Sequence, residues 1–167
     1  HTLGIIYCNE MPQAVFTAHA AERAAAAFGW DTITTAVLRE ELLFLEERVA
    51  QLIRKVEVLY VPTDPLLAAP SRFGAIVRIA DREGKPVVGI SGEQVTQGAL
   101  IATHCDFHEI GRQAAILIIR VLTGTEVRTI PSQKPTYIQR SINLAKAREL
   151  NVPIRRNTIL RADRICD

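Results

Sequence analysis

Three apolar runs of the chain are each followed by a pair of polar residues. The pairs are Asn9 with Glu10, Thr63 with Asp64, and Ser91 with Glu93. The runs have the composition of buried parallel strands, and the carboxyl ends of parallel strands meet at one edge of a sheet, where α/β proteins bind their ligands. Carboxylates, hydroxyls and an amide without a paired nucleophile and base suit hydrogen bonding to a small polar molecule better than bond-making chemistry.

Thr63 and Asp64 are the first candidates for a ligand contact. They follow Val56–Val61, a run in which Glu57 is the only charge, and Pro65 comes directly after them. A short apolar run ended by a proline turn is typical of a strand that is covered on both faces in the middle of a parallel sheet. An Asp after a strand more commonly caps the next helix, and the two roles are compatible.

Ser91 permits one catalytic hypothesis. Gly89-Ile90-Ser91-Gly92 resembles a nucleophile elbow but is one residue short of the Gly-x-Ser-x-Gly pattern. A small α/β hydrolase that uses Ser91 would also need a histidine base and an acid, and nothing in the sequence marks His104 or His108 as that base. A polar turn after a strand is the simpler interpretation, and we expect the protein not to be an enzyme.

One cluster, His104-Cys105-Asp106-Phe107-His108, has the residue types of metal ligands. On a strand, His104 and Cys105 point to opposite faces, and Asp106 stands three residues before Glu109 in the spacing of a helix-capping box. Zinc sites need about four ligands, and no second cluster supplies the others. The glycine-rich phosphate-binding patterns are also absent, so we expect neither a metal nor another cofactor.

Apolar runs alternate with helical patterns along the chain. Strands are predicted at Leu3–Tyr7, Asp31–Leu38, Val56–Val61, Pro86–Ile90, Ala99–Thr103 and Tyr137–Asn143. Helices are predicted at Met11–Phe28, Glu40–Arg54, Leu66–Arg82 with a break at Pro70, Ile110–Leu122 and Leu144–Leu150, with a last helical turn in Ile159–Ile165. This alternation implies right-handed crossovers and an α/β fold, a three-layer sandwich around a parallel sheet.

The totals fit one domain. The chain has 167 residues, of which 48% are hydrophobic, and a net charge of +2. Its basic residues are not interleaved with aromatic residues, so nucleic-acid binding has little support. Three widely spaced cysteines form no disulfide framework. Because the sequence starts at His1 with neither a methionine nor a signal segment, we expect a piece of a longer protein.

Several blocks resemble, in order, the ABC-transporter substrate-binding proteins of the tryptophan/tyrosine-type family. The blocks are Tyr60–Asp64, Gly98–Leu100, Asp106–Gln113, Ile142–Ala147 and Leu160–Ile165. The resemblance spans nearly the whole chain. It implies the C-terminal lobe of a type I periplasmic binding protein, in which two α/β lobes close on a small solute such as an amino acid.

The resemblance also implies partners and a location. Such proteins deliver their solute to an ABC permease in the membrane and are periplasmic or otherwise extracytoplasmic. The segment 99–124 would normally pack with a first lobe that this sequence lacks. We therefore expect this apolar segment to fold back on the lobe or to pair with a second copy in a homodimer.

The family's ligand-binding positions would fall on residues of the three polar pairs and on two more. The implied set is Asn9, Glu10, Gln13, Thr63, Asp64, Ser91, Glu93 and Asp106. Departures from the family pattern occur at the same places, since Pro65 replaces its usual Asn, Ile90-Ser91-Gly92 replaces Ser-Asp-Glu, and His108 replaces Tyr. A ligand-sensing module of a signalling system uses the same fold and is the alternative function.

Overall fold

The computed structural model describes all 167 residues, which form one seven-stranded sheet. The strands are β1 (Thr2–Cys8), β2 (Asp31–Val37), β3 (Val58–Tyr60), β4 (Val87–Gly89), β5 (Ile101–Cys105), β6 (Ile138–Asn143) and β7 (Arg164–Cys166). Their order across the sheet is β2-β1-β3-β4-β5-β6-β7. Strands β1 to β5 are mutually parallel, whereas β6 runs antiparallel to β5 and β7 runs parallel to β6. The predicted α/β class is confirmed.

Helices follow most of the strands. They are α1 (Pro12–Ala27), α2 (Leu45–Ile53), α3 (Pro70–Arg82), α4 (Gly92–Thr96), α5 (Phe107–Leu122), α6 (Leu144–Glu149) and α7 (Arg156–Leu160), with 3-10 turns at Glu40–Phe44 and Val127–Thr129. None of these helices combines the length and the apolar character that a bilayer crossing requires.

Helices cover both faces of the sheet. Successive side chains of a strand point to opposite faces, and the buried residues of β1 divide accordingly. Ile5 and Tyr7 pack with Ala14 of α1, whereas Ile6 and Cys8 belong to the larger core that α2 and α3 form on the other face. The arrangement is therefore three layers, with a thin α1 side and a thick α2–α3 side.

The α1 side leaves part of the sheet uncovered. Tyr60, Val88 and Thr103 of β3, β4 and β5 line an open groove of about 540 Å³, together with Phe28 and Trp30. The strand predicted at Val56–Val61, which is β3 in the structure, was expected to be covered on both faces. This expectation is wrong for the face on the α1 side. The opposite side of the same strand is fully buried through Leu59.

Two predicted helices begin differently in the structure. The helix expected from Leu66 starts at Pro70 instead. Proline suits the first position of a helix, because the amide of that position has no partner within the helix and because the fixed φ of proline is helical. The predicted helix Glu40–Arg54 is divided into a 3-10 turn and α2.

The C-terminal third departs most from the expected topology. The loop after α5 brings the chain back to the end of the sheet where β5 finished, so β6 starts there and must run antiparallel. The tail was predicted as a helical turn in Ile159–Ile165. It forms the short helix α7, which includes Ile159 and Leu160, and then the unpredicted strand β7, which pairs with β6. Three-residue strands such as β7 are too short to show a period of two in the sequence.

Helix α5 has no buried residue. Its exposed apolar side chains are Phe107, Ile116, Ile118, Ile119, Val121 and Leu122. Side-chain hydrogen bonds connect α5 only to the capping residue Asp106 and to the following loop, for example from Gln113 Nε2 to the Lys134 carbonyl at 3.4 Å. The expectation that the segment 99–124 folds back on the lobe is therefore wrong for α5, whereas Ile101–Cys105 of the same segment is part of the sheet as β5.

Candidate functional site

The sheet brings the predicted polar residues to one edge. Strands β1, β3, β4 and β5 are neighbours and parallel, so the loops after their carboxyl ends lie side by side. We call this edge the rim and define it by Asn9–Glu10, Thr63–Asp64, Ser91–Glu93 and Asp106. Gln13 stands next to it in the first turn of α1.

Asp64 is fully buried at the rim and is bonded to the backbone. Its Oδ2 accepts a hydrogen bond from the Cys8 amide at 2.6 Å, and its Oδ1 accepts from the amides of Leu66 at 2.9 Å and Leu67 at 3.2 Å. One carboxylate thus joins the end of β1 to the turn after β3. These bonds give Asp64 the capping role, because a solute would have to displace them to reach its oxygens.

Glu10 joins the ends of β1 and β2. Its Oε1 accepts from the Arg39 amide at 2.8 Å, and its Oε2 lies 3.7 Å from Arg39 Nε. Asn9 and Gln13 are exposed, and neither side chain makes a hydrogen bond within the chain. The side-chain amides of both residues are therefore free for a ligand.

Ser91 caps α4. Its Oγ accepts from the Gln94 amide at 3.2 Å, and Gln94 Oε1 in turn accepts from the Ile90 amide at 2.6 Å. No histidine hydrogen-bonds to Ser91, so the hydrolase hypothesis finds no base there. Glu93 is exposed in the first turn of α4, and Thr63 is half-buried with its hydroxyl unbonded within the chain.

Asp106 caps α5 as its spacing predicts. Its Oδ1 accepts from the amides of His108 at 2.9 Å and Glu109 at 3.1 Å, and its Oδ2 accepts from Gln139 Nε2 at 2.7 Å. The reciprocal half of the capping box is missing, because Glu109 binds Arg112 instead. That hydrogen bond lowers the pKa of the Glu109 carboxyl.

His104 contacts Ser141 and not Ser91. The sequence analysis did not single out Ser141. Ser141 Oγ lies 3.2 Å from His104 Nε2, and His104 Nδ1 lies 3.2 Å from the Cys105 carbonyl oxygen. Because a carbonyl only accepts, Nδ1 carries a proton, and in the tautomer with its single proton there Nε2 accepts from Ser141. Ser141 is fully buried, so this pair has the geometry of a nucleophile and base but no access for a substrate.

Arg164 is a second residue that sequence reasoning missed. A Cβ built on Gly92 would lie 2.9 Å from Arg164 Nη1, 3.3 Å from Ser141 Oγ and 3.5 Å from His104 Nε2. Arg164 Nη2 also donates to Thr96 Oγ1 at 3.3 Å. The strand that carries Arg164 was predicted as a helical turn, so no sequence signal placed it beside the rim.

The structure contains no group of His, Cys, Asp and Glu side chains that would hold a metal ion. In the cluster that suggested one, the Asp106 oxygens accept from backbone amides and from Gln139. The three cysteines are free thiols, with Cys8 buried and Cys105 and Cys166 half-buried.

Comparison with known proteins defines the class. The model of the family described as ABC transporter substrate binding protein matches residues 1–166. The chain belongs to this family. A curated relative, the tyrosine-binding protein of Clostridioides difficile strain R20291, is 32% identical over 87 residues, which are 52% of this chain and 25% of the relative.

Solved structures share the fold at lower identity. The structure titled as an ABC domain in complex with L-Trp from Streptococcus pneumoniae superposes with a TM-score of 0.83 at 23% identity, covering 98% of this chain and 54% of that one. A conserved domain protein from Vibrio cholerae gives 0.82 at 22%, with the same coverages. The ligand-free, open structure of a substrate-binding protein with adhesive properties from Clostridium difficile gives 0.79 at 20%, covering 99% and 54%. The chain therefore spans about half the length of these solved chains.

Proposed function

We propose that the chain is the C-terminal lobe of the solute-binding component of an ABC importer, which works outside the cytoplasm with a membrane permease and is not an enzyme. The observation that carries the proposal is the family match over residues 1–166 of a chain that spans about half of its structural neighbours. The open rim of polar loops supports it, because ligands of parallel sheets bind outside the carboxyl ends of the strands.

The rim residues have two roles under this proposal. Side chains that hold the loops belong to Glu10, Asp64, Ser91 and Asp106. Side chains without partners in the chain belong to Asn9, Gln13, Thr63 and Glu93, and these would hydrogen-bond the solute. All eight form the candidate ligand-binding set, with the second group in direct contact.

An amino acid is the solute class that we propose. The names of two related proteins mention tyrosine and L-Trp, which supports an amino acid in general. The rim supports a polar solute, since it offers amides, a hydroxyl and a carboxylate.

The apolar face of α5 supports the two-lobed arrangement. A helix with no buried residue and many exposed apolar side chains is expected to have a partner surface. We propose that this partner is a first lobe, which α5 of the segment 99–124 contacts in the longer protein, whereas β5 of that segment belongs to this chain's own sheet. In the chain on its own, the same face would pair with a second copy as a homodimer.

Calorimetry with amino acids tests the proposal. Closure of two lobes removes a solute from water, so the chain alone should show no tight binding, whereas the two-lobed protein should bind one or more amino acids. In that protein, Thr63→Val should weaken binding about fivefold, the value of one neutral hydrogen bond. Thr125→Val, in an exposed loop, is the matched control and should leave affinity unchanged.

Two results would contradict this account. Failure of the two-lobed protein to bind any amino acid or similar polar solute would exclude the proposed function. Tight binding by the chain alone would exclude lobe closure as the source of affinity.

A further inference from the structure

We propose that Arg164 binds the carboxylate of an anionic or zwitterionic solute at the rim, beside Gly92. The inference deepens the proposed function and depends on it for the identity of the ligand as a transported solute. The site itself follows from four side chains that three strands and α4 bring together: His104, Ser141, Arg164 and Thr96.

The polar atoms converge where Gly92 leaves space. Arg164 Nη1, Ser141 Oγ and His104 Nε2 all lie within 3.5 Å of the position that a Gly92 Cβ would occupy. Any larger residue at this position would displace the guanidinium, so Gly92 is compatible with the cluster because it has no side chain. The result is a polar patch at the surface of α4.

Hydrogen bonds within the chain fix the Ser141 and His104 side chains of this patch. Ser141 is fully buried, and its hydroxyl donates to His104 Nε2, while His104 Nδ1 donates to the Cys105 carbonyl. Both groups are thus hydrogen-bonded in one arrangement and need no ligand. Their polar atoms lie close to Gly92 on the same side as the Arg164 guanidinium, which the hydrogen bond from Arg164 Nη2 to Thr96 Oγ1 holds in place.

No carboxylate of the chain neutralises Arg164. It has no ion pair, and the neighbouring Asp163 is occupied by the Tyr137 hydroxyl and the Arg140 amide. Glu93 is exposed and makes no ion pair either. Arginine offers a planar fork of donors that matches a carboxylate, and Thr96 uses only one side of the fork here.

The register places this free cation at the predicted site. Arg164 pairs with Ser141, Ser141 with Ala102, and Ala102 with Gly89, so these residues lie at one level across four strands. Gly89 is two residues before Ser91, the cap of α4. A solute that holds its carboxylate at Arg164 therefore lies beside Gly92, and the next residue along the chain, Glu93, has a carboxylate that would suit an amino group.

A titration of the chain by NMR tests the site, with succinate as the probe and succinamide as its uncharged match at constant ionic strength. Succinate should shift the amide signals of Gly92, Thr96 and Arg164 in a saturable way, and succinamide should not. Arg164→Gln should weaken succinate binding about tenfold or more, the effect of losing a charge-assisted hydrogen bond. Arg161→Gln, at an exposed arginine three residues earlier, should have no effect.

Arg164→Lys separates the fork from the charge. It should bind succinate more weakly than the unchanged chain and more tightly than Arg164→Gln, because lysine keeps the charge but not the planar pair of donors. The amide spectrum of each variant reports whether it is folded. Equal shifts with succinamide, or unchanged succinate affinity in Arg164→Gln, would overturn the proposal.

The two proposals fail in different ways. If the two-lobed protein binds its solute equally well with Arg164→Gln, the anion subsite is wrong and solute binding stands. If succinate binds at Arg164 in the chain but the two-lobed protein binds no solute, the subsite stands and the transport function is wrong.

Discussion

At the scale of single residues, Asp64 has the most consequences for the rim. Its buried carboxylate accepts from the Cys8, Leu66 and Leu67 amides and so connects two loops that are far apart in the sequence. Buried backbone amides that lose their acceptor cost free energy, because they can no longer bond to water either. The Asp64 side chain therefore both stabilises the fold and fixes the shape of the rim.

Substitution of Asp64 tests this role. Asp64→Ala should lower the free energy of unfolding by about 3 kcal/mol, since it leaves buried amides unpaired. Asp64→Asn should cost less, about 1–2 kcal/mol. The asparagine oxygen can still accept from a backbone amide, whereas its NH2 group would face another backbone amide, which is also a donor. Urea unfolding measures both values. Asp31→Asn, at an exposed residue whose side chain makes no hydrogen bond or ion pair, is the control, and an Asp64→Ala variant as stable as that control would contradict the role.

Sequence alone found the rim residues that precede helices and missed those that pack across strands. Asp64 and Ser91 were predicted because they come shortly after apolar runs, and Asp106 because of its capping-box spacing to Glu109 and the family resemblance. Ser141 and Arg164 were not, because their partners lie 37 residues away at His104 and 68 residues away at Thr96. Such contacts depend on the strand order, and no local pattern contains it.

At the scale of elements, the loops before β6 and β7 are joined by Tyr137 and Asp163. The Tyr137 hydroxyl donates to the Asp163 carboxylate, which also accepts from the Arg140 amide. Both hydrogen bonds lower the pKa of Asp163, and the one from Tyr137 has the larger effect. The same contact raises the pKa of Tyr137.

The sign of the pH dependence follows from this shift. Because the pKa of Asp163 is lower in the folded than in the unfolded chain, its stabilising contribution is present above the unfolded value and is lost as pH falls through the folded value. Tyr137→Phe should raise the pKa of Asp163 toward that of a free Asp. A carboxyl-carbon NMR titration measures it, with Tyr60→Phe as the matched control. An unchanged Asp163 pKa in Tyr137→Phe would contradict the assignment.

The predicted elements were most accurate where they are long and apolar. Strands β1 and β2 and helix α1 lie within a few residues of their predicted bounds, because each has enough residues to show its period. The five-residue α4 and the three-residue β7 were missed, since segments of that length have no measurable period. Strand β6 was predicted at Tyr137–Asn143, but its antiparallel direction was not, because strand direction depends on where the preceding loop returns.

At the scale of the whole molecule, α5 is a helix that buries no residue against the rest of the chain. Its apolar side chains Ile118 and Ile119 are 57% and 58% exposed. Apolar residues that remain in water add little to folding, whereas the same residues in an interface do. The chain alone and the two-lobed protein should therefore respond differently to changes on this helix.

A double substitution measures that difference. In the monomeric chain, at a concentration too low for pairing, Ile118→Glu with Ile119→Glu should change the free energy of unfolding by no more than about 0.5 kcal/mol, as for other surface changes. In the two-lobed protein it should cost at least about 2 kcal/mol, because charges would enter an apolar contact. Leu43→Glu, at a residue 90% exposed and outside α5, is the control in both. Equal effects of the double substitution in the two proteins would contradict the packing of α5 on a first lobe.

The position of β2 at the end of the sheet has a practical consequence for handling the protein. The outer side of this seven-residue strand offers unpaired amides and carbonyls, and its sequence contains no proline or lysine to block them. Extended peptides from other molecules can add to such an edge as further strands. Concentrated stocks are therefore expected to form fibres from this border of the molecule before the fold itself is lost.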